Sequence, residues 1–355
     1  MSTLLSGLKK LSLATFAVGM MLQGGTAMAQ DSDRLMGIVE PLVATKPLTI
    51  GLSVVHLNDD FWRGITYGIQ DEAKRSNVKL ERVFVAGAYG NVREQFAHLS
   101  TFKTLGVDVA VLGASAFNGF DPAIRDLQRA GINVMAVGIP VNSPNISLGV
   151  TQDDAGIGQQ LAEVLCEADD KAQVLALPGP AGAEWARLRH EAFKETLSQK
   201  CPGTKVTDAS FSSGLTLQNG LTQASDLLLR QSEINAIFTP QVSLGMGAAQ
   251  AARQMNRDVK VLTSALVPEV LPLIKRGQIY ASVSEPGILM GRLIVQYAIR
   301  QAEDKPLPNV QNDDYLPYPY VLTPTTPILE SNVDTFPVYD TDLPPADWDA
   351  SAIMR

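Results

Sequence analysis

The strongest constraint on the fold is a regular alternation of short apolar strands with amphipathic helices, which continues over almost the whole chain. The first unit has an apolar run at 48–55, a polar turn at 56–60 and a helix whose apolar residues recur at spacings of four. Those residues are Phe61, Ile65, Ile69 and Ala73. Because parallel strands need crossover connections, and helices supply them here, the alternation predicts parallel sheets covered by helices.

The alternation falls into two similar series, one from 48 to about 137 and one from about 145 to 303. A chain of 355 residues is long enough for two domains of ordinary size. The sequence therefore predicts an α/β protein with two lobes, each built on a parallel sheet. The tail from Asn309 is rich in Pro, Asp and Tyr, and we expect it to follow the surface.

The first 29 residues have the three regions of a secretory signal peptide. A basic pair, Lys9 and Lys10, precedes an apolar run at 11–22, and Ala27-Met28-Ala29 has the small residues of a cleavage site. The apolar run is too short to cross a bilayer comfortably. We therefore expect a cleavable signal peptide at 1–29, export, and no direct insertion in the membrane; an uncleaved anchor is the alternative.

The net charge limits the possible partners, and the two cysteines suggest a disulfide. The predicted signal carries two of the 29 basic residues and none of the 37 acidic ones, so the rest of the chain has a net charge of about −10. This charge argues against nucleic acid and anionic membranes as partners. Cys166 and Cys201, the two cysteines, end neighbouring predicted helices, and in an exported protein such a pair suggests a disulfide. Two free thiols are the alternative.

The sequence contains no recognisable catalytic constellation. His98 and His190 have no partner at zinc-ligand spacing, whereas His56 ends a strand, where it could contact a ligand. There is no G-x-S-x-G elbow and no G-K-[ST] loop, and the residues after Gly156-Ile157-Gly158 break the dinucleotide fingerprint. We predict that the protein is not an enzyme and that it uses no cofactor and no metal.

The motifs together resemble a known family. A signal peptide, two β-α lobes, Asp59-Asp60-Phe61-Trp62 after the first strand and Pro178-Gly179-Pro180-Ala181-Gly182 before a helix resemble the type I periplasmic binding proteins. Within that family the chain is most similar to the TorT-like binders of trimethylamine N-oxide, which partner a sensor histidine kinase. The resemblance implies a periplasmic protein with two Rossmann-like lobes that close on a small ligand like a Venus flytrap.

The resemblance also implies lobes that are discontinuous in sequence and joined by three crossover strands. These strands would lie near 149–152, 283–286 and 312–319. The expected N-terminal lobe comprises 47–148 plus 286–312, and the expected C-terminal lobe comprises 149–285 plus 313–326. Residues 327–355 form the expected C-terminal tail.

By position, four residues match the aromatic, partly acidic pocket of TorT-like proteins in the first lobe. They are Asp59, Phe61, Trp62 and Tyr89. Aromatic faces attract the methyl groups of an amine, which suits such a ligand. Helix capping is the alternative role for Asp59, and core packing is the alternative for Phe61 and Trp62. The second lobe departs from the family, because Gln152 and Ala265 stand where aromatics are expected; Trp185 could supply one instead.

Sugar binders of the same superfamily hold a pyranose between aromatics and grip its hydroxyls with polar side chains. Asp153, Arg187 and Glu285 align roughly with such polar positions, although Arg187 could equally be a solvated helix residue. The expected ligand is therefore small and polar, either similar to trimethylamine N-oxide or a sugar. The expected partner is the periplasmic domain of a sensor histidine kinase, with an ABC permease and sugar transport as the alternative.

Overall fold

The computed structural model describes residue 35 and residues 37–354, so the predicted signal peptide lies outside the described residues. Six parallel strands form the first sheet, in the order β2-β1-β3-β4-β5-β11. They are β1 (Thr49–Val54), β2 (Lys79–Val85), β3 (Val109–Leu112), β4 (Asn133–Gly138), β5 (Leu148–Gln152) and β11 (Tyr320–Thr323).

The second sheet repeats this topology in the order β7-β6-β8-β9-β10-β12, and its edge strand β12 is antiparallel to β10. Its strands are β6 (Gln173–Ala176), β7 (Lys205–Asp208), β8 (Ala236–Phe238), β9 (Lys260–Ser264), β10 (Ala281–Val283) and β12 (Pro327–Ile328). The first five strands of each sheet follow the order 2-1-3-4-5 of a doubly wound fold. The predicted architecture of two α/β lobes with parallel-dominated sheets is confirmed.

Helices connect the strands and cover both faces of each sheet. They are α1 (Asp60–Arg75), α2 (Val92–Leu105), α3 (Asp121–Arg129), α4 (Asp154–Ala168), α5 (Glu184–Lys200), α6 (Leu217–Arg230), α7 (Val242–Gln254), α8 (Leu271–Lys275), α9 (Gly287–Ala302), α10 (Val338–Thr341) and a short 3₁₀ helix (Ala350–Ile353). None of the helices in the described part of the chain has the length and apolar character needed to cross a membrane.

Each sheet has an apolar core on both faces, because successive side chains of a strand point to opposite sides. In β3, Val109 and Val111 contribute to one core of the first lobe, whereas Ala110 and Leu112 contribute to the other. The second lobe has the same two-sided arrangement. Strands buried on both faces explain why the sequence shows continuous apolar runs rather than alternation.

Three connections between the sheets form the hinge. The chain leaves the first sheet after Gln152, returns between β10 and α9 through 284–286, and leaves again between β11 and β12 through 324–326. The sequence-based boundaries assign 149–152 and 313–326 to the C-terminal lobe, but β5 and β11 pair with each other in the first sheet. Strand pairing therefore extends the N-terminal lobe at both places.

The residues after β12 cross the hinge once more; we call 329–354 the C-terminal segment. Val338 and Leu343 pack in a core of the second lobe. Trp348 lies on α1 of the first lobe, where its indole N–H donates to Gln70 at 2.7 Å and its ring contacts Tyr67 edge-on. Between them, Asp342 accepts the backbone N–H of Glu285 at 2.8 Å. The predicted surface tail is thus partly buried and connects both lobes.

The predicted disulfide is present. Cys166, in the last turn of α4, is bonded to Cys201, the residue that ends α5, with 5.7 Å between their Cα atoms. The bond closes a loop across 35 residues. It therefore fixes the far ends of the two helices whose near ends carry the site described next.

Candidate ligand-binding site

A cavity of about 290 Å³ lies between the two lobes. The first lobe lines it with Asn58, Asp59, Asp60, Phe61, Tyr89, Gly138, Ile139 and Gln152. The second lobe and the hinge line it with Asp154, Trp185, Arg189, Leu215, Gln241, Val242, Ser243, Met246, Ala265, Leu266, Val267, Glu269 and Glu285. Nearly all of these residues end a strand or follow its carboxyl end, where open α/β sheets bind ligands.

Asp59 and Asp60 form the acidic part of the first-lobe wall. The Asp59 carboxylate caps α1 by accepting the backbone N–H of Trp62 at 3.0 Å, and it lies 3.7 Å from His56. Burial raises the pKa of Asp59, and His56 and the capping bond oppose that shift. Asp60 pairs with Arg63 at 3.3 Å. Asp59 therefore caps α1 and also lines the cavity.

The two adjacent aromatics of α1 have different positions. Phe61 lines the cavity, as predicted, but Trp62 does not: it is fully buried in a core of the first lobe. Trp62 shares the buried face of α1 with Ile65, Ile69 and Ala73, and this face turns it away from the cavity. The placement of Trp62 in the pocket wall is therefore wrong. Its indole N–H instead donates to the Tyr89 hydroxyl at 2.9 Å, and Tyr89 does line the cavity.

A buried charge cluster forms the floor of the cavity. Arg189 donates to both oxygens of Glu285, at 2.6 and 2.9 Å, and through two N–H groups to one oxygen of Asp154, at 2.9 and 2.6 Å. It also donates to the Ser264 hydroxyl and to the Pro240 carbonyl. Its N–H donors are thus fully occupied within the protein.

Burial and the charges within the cluster together determine its protonation. Burial by itself lowers the pKa of Arg189, but the carboxylates of Glu285 and Asp154 outweigh it and hold the pKa above its ordinary value. Burial raises the pKa of Asp154 to about 6, against the effect of Arg189 and with a further contribution from Glu285. The cluster therefore consists of a permanent cation that shares two carboxylates.

Helix packing explains why Arg189, and not Arg187, reaches the cavity. Arg189 shares the buried face of α5 with Ala186 and Phe193, and α4 approaches so closely that a Cβ on Gly158 would clash with the Arg189 backbone. Arg187 lies on the opposite, exposed face and pairs with Glu184 and Glu191. Arg187 therefore lies outside the cavity lining, where its alternative role as a solvated helix residue places it.

At the start of α4, the residue that lines the cavity is again a neighbour of the predicted one. Asp153 caps this helix by accepting the backbone N–H of Gly156 at 2.8 Å, and it does not line the cavity. The next residue, Asp154, does. Gln152 lines the cavity and donates to Glu285 at 2.7 Å, and its amide oxygen is buried with no hydrogen-bond partner in the described residues.

Trp185 and Ala265 complete the second-lobe wall. The Arg189 guanidinium lies 5.0 Å from the centroid of the Trp185 ring, so a face of this aromatic is already occupied by a cation. Ala265 has a φ of +70° and accepts the Ser282 hydroxyl at 2.6 Å through its carbonyl. Of the sequence-predicted residues, Asp59, Phe61, Tyr89, Gln152, Trp185 and Glu285 surround one cavity, and Trp62, Asp153 and Arg187 lie outside its lining.

Comparison with known proteins places the chain in a family. A family model described as a periplasmic binding protein domain matches residues 50–306, more than half of the chain. The chain belongs to this family.

This periplasmic binding protein is similar to several solved and curated relatives. A crystal structure of a sugar ABC transport system substrate-binding protein from Bordetella parapertussis is 52% identical, with a TM-score of 0.85, and covers 89% of this chain and 100% of its own. The ribose import binding protein RbsB of Bacillus subtilis is 26% identical over 71% of this chain and 81% of its own. The periplasmic protein TorT of Escherichia coli K12 is 27% identical over 80% of each.

Sequence reasoning missed four charged residues of this periplasmic binding protein's cavity: Asp60, Asp154, Arg189 and Glu269. The signal for Arg189 was available, because it stands three residues after Ala186 and four before Phe193 on an otherwise apolar face. Glu269 lies in a loop after β9 and had no comparable signal. In the described residues, no group of three His, Cys, Asp or Glu side chains could hold a metal ion.

Proposed function

We propose that the protein is a periplasmic solute-binding protein that closes on one small, hydroxyl-rich ligand of sugar size and delivers it to an ABC permease. The observation that carries the proposal is the contact set of Glu285. This hinge residue binds Arg189 of the second lobe and Gln152 of the first, inside a cavity lined by both lobes. A ligand there would bridge the lobes.

The mechanism we propose is a shift in population. A ligand that contacts both lobes binds the closed form more tightly than the open form, so binding favours closure by that difference in affinity. The hinge segments around 153, 284–286 and 324–326 would absorb the backbone rotation. The permease would then recognise the closed form, and the protein itself would carry out no chemical step and use no cofactor.

The relatives support transport as the first candidate. The 52% identical structure is that of a sugar ABC transport system substrate-binding protein, and curated relatives include ribose import and D-allose-binding proteins. The polar floor supports a ligand with hydroxyl groups, because Gln152 and Glu285 offer acceptors next to the aromatic Trp185. Export by the predicted signal peptide at 1–29 is part of this proposal.

A second candidate is a TorT-like role, in which the protein binds trimethylamine N-oxide or a related ligand and presents its occupancy to a sensor histidine kinase. TorT supports it with an alignment over 80% of each chain. Among the described lining residues, the aromatic side chains of Phe61, Tyr89 and Trp185 also suit a methylated amine.

A thermal-shift screen of the mature protein tests both candidates. The panel should contain pentoses, hexoses, trimethylamine N-oxide, betaine and choline. A ligand at 100 times its Kd stabilises the folded state by about 2.7 kcal/mol, which raises the melting temperature visibly. A shift with a sugar supports transport, a shift with the N-oxide alone supports the sensor role, and the absence of any shift contradicts a solute-binding function for this panel.

A further inference from the structure

We infer that the ligand is a cation, namely a small polyol with a protonated primary amine, such as an amino sugar. This inference rests on the proposed solute-binding function and names its ligand class. Three observations support it: the charges of the cavity wall, the fully occupied hydrogen-bond donors of Arg189 and the unpaired amide oxygen of Gln152.

The cavity wall carries an excess of negative charge. Five carboxylates line it, and they belong to Asp59, Asp60, Asp154, Glu269 and Glu285. Among the described lining residues, Arg189 is the one with a permanent positive charge. Arg63 pairs with Asp60 without lining the cavity, and His56 beside Asp59 is positive only when protonated. Even with Arg63 included, the carboxylates outnumber the permanent cations.

The excess charge is divided between the two lobes. Burial raises the pKa of Asp60, and Glu269 from the opposite lobe raises it further despite Arg63. Glu285 acts in the same direction on Asp59 across the cleft. Closure of the lobes therefore brings like charges together. A neutral sugar would leave this repulsion in place, whereas an ammonium group between the lobes would replace it with attraction.

Hydrogen-bonding capacity argues against an anionic ligand and for a ligand that donates. Arg189 uses all its donors within the protein, so it has none left for an anionic ligand. Gln152 lines the cavity with a side chain that is 3% exposed, and its amide oxygen is buried without a hydrogen-bond partner in the described residues. A buried acceptor without a partner is costly, so the site favours a ligand that donates.

This requirement separates primary amines from methylated ones. A quaternary ammonium group has no N–H donor, so it cannot itself pair with the Gln152 oxygen; in choline only the hydroxyl group could do so. An aromatic cage for methyl groups is also incomplete, because Arg189 occupies a face of Trp185 and His56 contacts the Tyr89 ring. A polyol with an –NH₃⁺ group satisfies both the charge and the acceptor.

Isothermal titration calorimetry with matched probe pairs tests the inference. Glucosamine against glucose, galactosamine against galactose, and choline as the methylated cation should each be titrated into the mature protein at pH 7 and low salt. We expect an amino sugar to bind at least about tenfold more tightly than its neutral parent and than choline, because a charge-assisted hydrogen bond is roughly twice as strong as a neutral one.

Three variants test which carboxylates produce the preference for an amine. Asp59→Asn keeps the helix cap, since Asn caps about as well as Asp, and Glu269→Gln changes the opposite lobe. Each should reduce the preference for the amine by about tenfold or more. Asp126 lies on α3, outside the cavity lining, and forms an exposed ion pair with Lys103. Asp126→Asn removes one negative charge there and should leave the preference unchanged.

The outcomes distinguish this inference from the function on which it rests. Tight binding of neutral sugars with equal or weaker binding of amines would overturn the cationic ligand and leave the solute-binding function intact. Binding of choline alone would also overturn it. An amine preference that Asp126→Asn reduces as much as Asp59→Asn would show a long-range charge effect and contradict the site. Lack of binding by every probe would overturn the cationic ligand, and a thermal shift with a pentose or another member of the screening panel would then leave the solute-binding function intact.

Discussion

Arg189 and Glu285 are joined by two hydrogen bonds, of 2.6 and 2.9 Å, in the hinge between the lobes, and both side chains are buried. Arg189 comes from a helix of the second lobe, whereas Glu285 belongs to the segment that passes to the first. Asp342 of the C-terminal segment fixes the backbone of Glu285 from the other side. The residue pair that forms the cavity floor is therefore also part of the hinge.

Arg189→Met should destabilise the protein strongly. Removal of the guanidinium leaves the carboxylates of Asp154 and Glu285 buried without their cation, which costs about 3–5 kcal/mol in comparable cases. Urea unfolding followed by circular dichroism measures the change. Arg187→Met is the matched control, because its ion pairs are exposed and contribute at most about 1 kcal/mol. Equal losses in the two variants would contradict the assigned roles.

Phe61→Ala and Trp62→Ala should separate binding from stability. Trp62 is fully buried, so its truncation leaves a large cavity and costs about 3–5 kcal/mol of folding free energy. Phe61 is half-buried at the cavity wall, so its truncation should cost less stability but weaken ligand binding by roughly 0.5–2 kcal/mol. Urea unfolding and calorimetry with the ligand found in the screen measure both. A larger loss of affinity in folded Trp62→Ala would reverse this assignment.

The sequence was sufficient to predict the fold because each element has its own local signal. Apolar runs mark the strands, spacings of four mark the helices, and Asp59 marks the start of α1. The lobe boundaries depend instead on which strands pair with each other. β5 joins the first sheet by pairing with β4, and β11 joins it by pairing with β5, about 170 residues earlier in the chain; local patterns do not encode these pairings.

Six of the nine residues predicted for the site line one cavity, and three do not. Trp62, Asp153 and Arg187 lie outside the cavity lining. In each case a residue one or two positions away lines it instead: Phe61, which was also predicted, Asp154 and Arg189. In each case the helix rotation decides which neighbour faces the cavity. That rotation is set by helix–helix contacts, such as the close approach of α4 and α5 at Gly158, and these contacts are visible only in three dimensions.

Removal of the disulfide should lower stability without changing the site. A loop of 35 residues corresponds to about 4 kcal/mol in the chain-entropy model, and measured losses are typically about 2–5 kcal/mol. The variant to make is Cys166→Ser with Cys201→Ser, compared with reduced wild type by urea unfolding. Both should lose a similar amount. Detection of two free thiols in unfolded, unreduced wild type would contradict the bond.

Asp342→Asn should change how stability depends on pH. Burial raises the pKa of Asp342 to about 6, against hydrogen bonds from Thr341, Ser284 and the backbone of Glu285. The folded state therefore binds more protons at this residue than the unfolded state between about pH 4 and pH 6, so its contribution to stability is present at low pH and is lost as the pH rises through that window. The difference in unfolding free energy, wild type minus Asp342→Asn, should thus fall by up to about 3 kcal/mol from pH 4 to pH 7. Urea unfolding at a series of pH values measures this difference, and Asp126→Asn, which alters an exposed carboxylate, serves as control. A constant difference, or one that grows with pH, would mean that Asp342 is ionised in the folded state throughout the range.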